Sequence, residues 1–191
     1  MSDTSRPHTS RPNRAFDILT ATELPHDQVG DATERWDVLD ALHRFAAGQD
    51  LKDWALFASA FADDAQLDFT QPAARLGAQL PVLRGRGDIV AAITAAVQGL
   101  DTTHSVSNAR IWVEGRHAQL LALVEAQHLP AGDHSRHLLL KNFYRVRLHA
   151  GEGRQWAMTH VRIDNAWMTG DASVLFPDVR GRDRPAPTAT C

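Results

Sequence analysis

The sequence has only one cysteine, so an internal disulfide is excluded. That residue is Cys191, at the last position of the 191-residue sequence, and a lone cysteine suits a reducing compartment. The chain also lacks any run approaching the roughly 18 apolar residues that a membrane-spanning helix needs. Its first residues lack the apolar core of a secretory signal. We therefore expect a cytoplasmic protein with no membrane partner.

An excess of charge of either sign is missing as well. The sequence has 20 Lys and Arg against 23 Asp and Glu, a formal net charge of −3, and the basic residues are interspersed with acidic ones. A phosphate backbone would therefore meet no basic stripe, and no nucleic-acid-binding motif occurs. We expect no nucleic acid partner, and instead a small molecule that is neutral or weakly charged.

Several motifs of common enzyme classes are absent. The sequence contains no serine nucleophile elbow, no phosphate-binding glycine loop and no dinucleotide fingerprint, which disfavours covalent acyl transfer and nucleotide chemistry. Ten histidines are present, but neither a His-Glu-x-x-His motif nor a second cysteine accompanies them. We therefore predict no metal site and no cofactor.

The amino-terminal half of the sequence has the apolar spacing of helices. Apolar residues recur every three or four positions, which predicts helices at residues 31–48, 54–61 and 89–99. Residues 66–70 read as a short strand. Residues 71–83 contain two prolines and a glycine, which predicts a loop.

The carboxy-terminal half changes to strand alternation. Four long strands are predicted at residues 106–113, 118–128, 137–149 and 155–164, separated by turns rich in Gly and Pro. Such turns join neighbouring strands into an antiparallel meander. Three helices followed by a curled sheet make an α+β domain, with a pocket between the helices and the concave face of the sheet.

The composition divides the chain into one domain and two tails. Residues 31–176 are predicted to form the domain, with a flexible amino-terminal arm at 1–30 and a flexible carboxy-terminal tail at 177–191. Within the arm, the apolar patch at residues 15–19 is the part suited to dock on the body or on a second subunit.

Five sets of short motifs lie in a characteristic order between Arg35 and Gly170. They are Gln49-Asp50-Leu51-Lys52-Asp53-Trp54; Phe61-Ala62-Asp63-Asp64-Ala65 with Leu67-Asp68-Phe69; Gly85-Arg86-Gly87-Asp88-Ile89; Thr103-His104 with Asn108; and Trp167-Met168-Thr169-Gly170. In this order they resemble the nuclear transport factor 2-like superfamily, in its branch of SnoaL-like, scytalone dehydratase and polyketide-cyclase-like proteins. The resemblance implies a cone-shaped, curved antiparallel or mixed sheet covered by the three helices, with the ligand pocket inside the cone.

The resemblance also implies a catalytic site. In dehydratases of this type and in hexachlorocyclohexane dehydrochlorinase, an aspartate after the first helix holds a histidine that removes a proton. Asp50 and His104 fall at those positions, and His128 matches a second pocket histidine that would assist departure of a hydroxyl or polarise a carbonyl. A carboxylate beside an imidazole fixes its tautomer and stabilises the imidazolium. Local sequence alone favours a different role for Asp50, in which its carboxylate accepts backbone N–H groups where one helix ends or the next begins.

The implied substrate shell departs from that of scytalone dehydratase. Gln49 and Phe69 stand where that enzyme has tyrosines, while Leu138 and Leu140 replace its serine and asparagine. We therefore expect a more apolar pocket and a largely apolar carbonyl, hydroxylated or halogenated substrate. The predicted substrate-binding residues are Gln49, Trp54, Phe69, Asn108, Leu138, Leu140, Asn142, Tyr144 and Trp167.

Three functions are consistent with this pattern. The first is a cofactor-independent lyase, of the dehydratase type, or isomerase that uses His104 and Asp50 for proton abstraction. The second is a non-catalytic binding or assembly protein resembling the small subunits of ring-hydroxylating dioxygenases. The third is an enzyme like ketosteroid isomerase, with Asp68 as base and Tyr144 as hydrogen-bond donor. An outward-facing apolar patch around Phe143 further predicts a homodimer or homotrimer.

Overall fold

The computed structural model describes residues 16–151, 153 and 155–177, which form a six-stranded sheet and several helices. Helices α1 to α4 span Ala32–Asp50, Trp54–Ser59, Thr70–Arg75 and Arg86–Val97. Strands β1 to β6 span Phe61–Asp68, Leu83–Arg84, Leu100–Glu114, His117–Pro130, Leu138–Ala150 and Trp156–Gly170, and a short 3-10 helix follows at Ala172–Val174.

The sheet is mixed and has the strand order β2-β1-β6-β5-β4-β3. Strand β1 runs parallel to β6, and the other neighbours are antiparallel, so β3 to β6 form the predicted meander. Bulges interrupt the ladders between β3 and β4 and between β5 and β6. Because a bulge bends a strand and increases its twist, the sheet curves around the helices. The α+β fold with a curved, mixed sheet is confirmed.

Helix α1 is the central helix of the inner layer. The Asp31 side chain caps the helix by accepting a hydrogen bond from the Glu34 backbone N–H, and the Glu34 carboxylate accepts one from the Asp31 backbone N–H. Its buried face, including Leu42 and Phe45, packs in the core with the inner side of the sheet. Among the helices that the structure describes, none has the length and apolarity required to cross a membrane.

A close contact joins α1 and α2 near the end of α1. A Cβ atom at Gly48 would lie only 2.5 Å from the backbone nitrogen of Phe57, so only glycine lets the helices approach this closely. The chain turns immediately after this crossing, which puts Asp50 at the inner end of α1. This contact therefore sets the position of a predicted catalytic residue.

The structure differs from the predicted elements near β1. Phe61 begins strand β1 instead of ending α2, because it pairs with Met158 of β6 and both side chains are buried. The predicted loop contains the short helix α3. Pro72 lies in the first turn of that helix, where its missing N–H breaks no helical hydrogen bond.

Residues 16–22 pack on the outer face of the sheet, and residues 25–29 run along its edge strand β3. The Phe16 ring meets the Trp112 ring edge-on at 5.0 Å between centroids, and Ile18 is fully buried. Val29 forms a parallel bridge with Trp112. The segment thus buries apolar surface that the alternation of β3 places on the outside.

Arginines of β5 fasten this segment to the sheet. Arg147 forms an ion pair and hydrogen bonds with Asp17, with Nε 3.1 Å from Oδ1. Arg145 donates to the backbone carbonyl of Ile18 at 3.1 Å. The predicted flexible arm is therefore corrected for residues 16–30, since these contacts hold the segment against the body. Residues 1–15 of that arm, and the predicted tail from 178 onward, lie outside the described residues.

Candidate active site

A cavity of about 280 Å³ lies between the inner face of the sheet and the helices. Among the described residues that line it, none is Asp, Glu, Lys or Arg. Its apolar wall comprises Phe45, Leu67, Phe69, Leu80, Pro81, Leu83, Ala92, Ile93, Ala96, Val97, Ala126, Leu140, Ile163, Leu175 and Phe176, and its polar groups belong to Gln49, His104, His128, Asn142 and Tyr144. Because an unpaired charge is costly to bury, this lining suits a neutral ligand.

Asp50 holds His104 through two hydrogen bonds. The Asp50 Oδ1 atom lies 2.7 Å from the His104 ring Nδ1, and Oδ2 accepts the His104 backbone N–H at 2.7 Å. The His104 side chain is only 3% exposed. Since the carboxylate can only accept, Nδ1 carries the proton in the neutral ring and Nε2 carries a lone pair. The imidazole that lines the cavity therefore has the tautomer of a base.

Polar contacts tie the end of α1 to strand β3. Thr102 Oγ1 donates to the backbone carbonyl of Gln49 at 3.4 Å and accepts from Lys52 Nζ at 3.2 Å. These contacts hold the end of α1, and with it Asp50, against the strand that carries His104.

Two opposing effects act on the pKa of Asp50. Burial of the carboxyl group raises its pKa, but the hydrogen bond from the His104 ring, the charge of His104 and the His104 backbone N–H together outweigh burial. The pKa of Asp50 consequently lies below its ordinary value. The carboxylate is therefore negative at neutral pH, as an orienting group for a histidine base must be.

His128 is a second buried histidine of the cavity. Its ring centroid lies 5.9 Å from that of His104, with the rings nearly perpendicular. Burial, followed by the charge of His104, lowers the pKa of His128 to about 4. Its Nδ1 lies 3.4 Å from the carbonyl oxygen of Leu138, so Nδ1 donates and Nε2 remains an acceptor. This arrangement favours accepting a hydrogen bond over the predicted assistance to a departing hydroxyl.

Asn142 and Asn165 form a buried amide pair across β5 and β6. Asn165 Nδ2 donates to Asn142 Oδ1 at 2.8 Å and also to the backbone carbonyls of Lys141 and Trp167 at 3.2 and 3.0 Å. Two carbonyls can only accept, so they fix the orientation of the Asn165 amide. The Asn142 atom facing it must then be oxygen. Asn142 Nδ2 is left without a partner among the described residues.

Tyr144 is the single tyrosine of the sequence, and its ring is buried in the cavity wall. It meets the Phe45 ring edge-on at 5.8 Å between centroids. Burial and then the negative charge of Asp50 raise the pKa of the Tyr144 hydroxyl. The hydroxyl is therefore protonated at neutral pH and available as a donor.

The cavity contains five of the nine residues predicted to bind substrate. They are Gln49, Phe69, Leu140, Asn142 and Tyr144, and both predicted histidines, His104 and His128, line it with them. Trp54, Asn108, Leu138 and Trp167 do not line it. These four residues lie elsewhere for different physical reasons.

Two of the four, Trp54 and Asn108, lie outside the cavity because of local structure in helix α2 and in strand β3. The Trp54 ring packs perpendicular to Phe57 at 6.0 Å, which places it among core aromatics. Simple alternation puts Asn108 on the same side of β3 as His104, but a bulge follows Ser107. Asn108 lies within it at φ +52° and is exposed, because asparagine tolerates this left-handed conformation.

The other two residues, Leu138 and Trp167, lie on the sheet but away from the cavity. Leu138 is buried in a second apolar cluster with Leu76 and Val174, beyond the cavity wall. Trp167 stands opposite Lys141 and is 48% exposed, because directly opposed residues share a face and this one is the outer face.

Several cavity residues were not predicted as site residues. Helix α4 contributes Ala92, Ile93, Ala96 and Val97, and the loop before β2 and the carboxy-terminal segment contribute Leu80, Pro81, Leu175 and Phe176. The apolar spacing of α4 was a usable signal, although it cannot separate a cavity wall from a filled core. The loop and the carboxy-terminal segment had no comparable pattern.

Asp68, the alternative base, is occupied elsewhere. Its Oδ1 accepts hydrogen bonds from the backbone N–H and hydroxyl of Thr70 at 3.0 and 2.7 Å, which stabilises the start of α3. It does not line the cavity. Across the residues that the structure describes, no three His, Cys, Asp or Glu side chains are grouped to hold a metal ion.

Comparison with known proteins identifies the family. The family model of the SnoaL-like domain matches residues 30–162. Terrestric acid biosynthesis cluster protein E of Penicillium crustosum is 28% identical over 164 residues, covering 82% of this chain and 99% of that protein.

Solved structures share the fold at lower identity. Kfla4162 from Kribbella flavida is 23% identical, covers 76% of this chain and 99% of its own, and has a TM-score of 0.65. The hexachlorocyclohexane dehydrochlorinase LinA-type3 from Novosphingobium barchaimii LL02 is 16% identical, with coverage of 75% and 94% and a TM-score of 0.60. The chain belongs to the SnoaL-like domain family of the nuclear transport factor 2-like superfamily.

Proposed function

We propose that this protein is a cofactor-independent lyase or isomerase that removes a proton from a small, neutral and largely apolar molecule. The substrate carries a carbonyl, hydroxyl or halogen next to the carbon that loses the proton. His104 is the base, and Asp50 orients it. The observation that carries the proposal is the pair of 2.7 Å hydrogen bonds between Asp50 and His104 at the wall of an apolar cavity.

The proposed step begins at Nε2 of His104. Its lone pair takes a proton from carbon, and the electrons of the C–H bond form an enolate or, if a neighbouring hydroxyl or halide departs, an alkene. In dehydration, the imidazolium returns its proton to the departing hydroxide, which leaves as water. In isomerisation the proton goes to another carbon. General-base help of this kind contributes roughly 10² to 10⁴ in rate.

The apolar, uncharged lining supports a neutral substrate. Fifteen of the twenty lining residues are apolar, and no charged side chain of the described residues reaches the cavity wall. Phosphorylated or carboxylate substrates would lose their hydration with no counter-charge beside them. The low dielectric of such a cavity also strengthens the attraction between Asp50 and the imidazolium.

The comparisons support the proposal at the level of the fold. A dehydrochlorinase has the same fold, and the curated relative is a biosynthesis cluster protein. Elimination of a leaving group next to a C–H bond is the chemistry that the name of the first describes. In this chain, Asp50 and His104 would carry out that class of reaction.

Hydrogen–deuterium exchange tests the proposal without knowledge of the natural substrate. The purified chain is incubated in D₂O with a panel of neutral one- and two-ring ketones that includes acetophenone, and exchange at the carbon next to the carbonyl is followed by mass spectrometry. We expect the wild type to accelerate exchange. His104→Gln, which keeps a polar side chain but no base, should lose the acceleration by roughly a hundredfold or more.

A matched control separates the active site from the rest of the chain. His117→Gln changes a histidine on the exposed end of β4, away from the cavity, and should exchange the ketones as the wild type does. Equal rates for wild type and His104→Gln across the panel would overturn the proposal. A chain that binds ketones but never accelerates exchange would instead be a binding or assembly module.

The oligomeric state stays a prediction. Phe143 and Trp167 remain 42% and 48% exposed on the outer face of the sheet. Because exposed aromatic side chains gain stability when a partner covers them, we keep the predicted homodimer or homotrimer. Light scattering of the purified chain should report two or three times the monomer mass, and a monomer would contradict it.

A further inference from the structure

The Asn142 amide is an unused hydrogen-bond donor in the wall of the cavity. The residue is 1% exposed, and its Nδ2 has no partner among the described residues. Buried polar groups almost always find a partner, and an exception points to a role or to a missing ligand. The question is therefore what atom Asn142 would bind.

The neighbouring Asn165 determines which end of the Asn142 amide is available. Asn165 Nδ2 is fixed by the carbonyls of Lys141 and Trp167, so it can only offer a donor to Asn142. Asn142 must answer with its oxygen, and the 2.8 Å contact holds it there. A ligand that reaches the free end of the Asn142 amide consequently meets an N–H group, which selects an acceptor atom.

The register of the sheet places Asn142 and His104 on one wall. Asn142 of β5 is opposite Val124 of β4, which is opposite Val106 of β3, two residues from His104. The two strands are two spacings apart, about 10 Å, and both side chains line the same cavity. One small molecule can therefore contact both.

We propose that Asn142 binds the oxygen of a neutral carbonyl substrate through Nδ2, while His104 removes the proton from the adjacent carbon. This inference rests on the proposed function and narrows its substrate class to carbonyl compounds. The N–H strengthens its hydrogen bond as negative charge develops on the carbonyl oxygen, so it stabilises the enolate more than the ketone. Asn142 would then decide which molecules react.

Binding of acetophenone and of ethylbenzene, its analogue without the oxygen, tests the proposal. Both are titrated into ¹⁵N-labelled full-length chain, and the Asn142 side-chain amide resonance is assigned by its loss in Asn142→Leu. We expect acetophenone, but not ethylbenzene, to shift this resonance. Asn142→Leu should bind acetophenone roughly three- to tenfold more weakly and ethylbenzene unchanged.

A control and a second readout keep the outcomes separate. Ser105→Ala, at an exposed position of β3, should bind both probes like the wild type. An Asn142 resonance that acetophenone does not shift would overturn the inference. So would an Asn142→Leu variant that loses affinity for acetophenone and for ethylbenzene to the same extent. If acetophenone binds through Asn142 yet no ketone exchanges deuterium, the proposed function fails while the assignment of Asn142 stands.

Discussion

The inner and outer faces of the same sheet differ in the polar groups that they carry. On the outer face, charged side chains are numerous and paired, as in Lys141 with Glu125 at 2.5 Å and Arg145 with Asp164 at 3.4 Å. On the inner face, the described cavity wall has only uncharged or titratable polar groups, each buried and set among apolar neighbours.

The two faces differ in how far water screens their polar groups. A pair of exposed ions contributes little to stability because water screens it, so these outer-face pairs mainly keep the surface polar. A buried group has no such screening, and its neighbours control its tautomer and pKa. Alternation along β5 therefore separates an attachment surface from a candidate reactive one within a single strand.

The largest expected effect is on the inner face, at Asp50. Asp50→Asn keeps the size of the side chain but can present an N–H to Nδ1 of His104, which moves the ring proton to Nε2 and removes the base. The rate of ketone deuterium exchange should fall roughly a thousandfold. Asp17→Asn, the same change on the outer face, should leave the rate unaltered. A fully active Asp50→Asn would mean that the dyad is structural.

A second test uses acid to compare His128 with the rest of the chain. Its folded pKa of about 4 lies below the ordinary value of 6.5, so the stability that depends on neutral His128 is present above pH 6.5 and is lost as the pH falls toward 4. The wild type should lose about 3 kcal/mol more than His128→Gln between pH 7 and pH 4.

The measurement is urea unfolding at several pH values. Ser105→Ala, an exposed change on β3, should follow the wild-type pH dependence and serves as the control. Asp50 does not contribute to the loss in this window, because a carboxyl whose pKa lies below its ordinary 3.8 loses its stabilising effect only below that pH. Identical pH dependence of wild type and His128→Gln would show that the ring is not buried in its neutral form.

The smallest expected effect belongs to the outer face. Ile18→Ala removes a fully buried side chain beneath residues 16–30 and should lower the free energy of unfolding by about 2 kcal/mol. Ketone exchange should not change, because the cavity is on the other side of the sheet. Thr22→Ala, exposed in the same segment, should stay within about 0.5 kcal/mol of the wild type. If Ile18→Ala matched that control, the segment would not be part of the folded body.

Much of the fold follows from local pattern. Alternation along β5 puts Leu138, Leu140, Asn142, Tyr144 and Val146 on one face, and all five are buried. Alternation fails where the backbone departs from a regular strand. The bulge at Asn108 turns that side chain outward. Such departures depend on how a strand pairs with its neighbour, which no short window of sequence contains.

The candidate site also has some features that the sequence indicated and others that it could not. The resemblance and the residue types pointed to Asp50, His104 and His128, but the direction of each proton could not be read from them. The Leu138 carbonyl makes the Nε2 of His128 an acceptor. The cavity walls supplied by the loop before β2 and by Leu175 and Phe176 carried no periodic signal at all.

By itself, the sequence determined the elements whose physics is local. Amphipathic spacing set α1 and α4, and alternation set the faces of β4 and β5. Tertiary structure alone decided the contacts between distant residues. Asp50 meets His104 across 54 positions, and Asn165 orients Asn142 across 23. These pairings depend on sheet register and on the crossing of α1 with α2, because hydrogen bonds need atoms within about 3 Å that only the folded chain brings together.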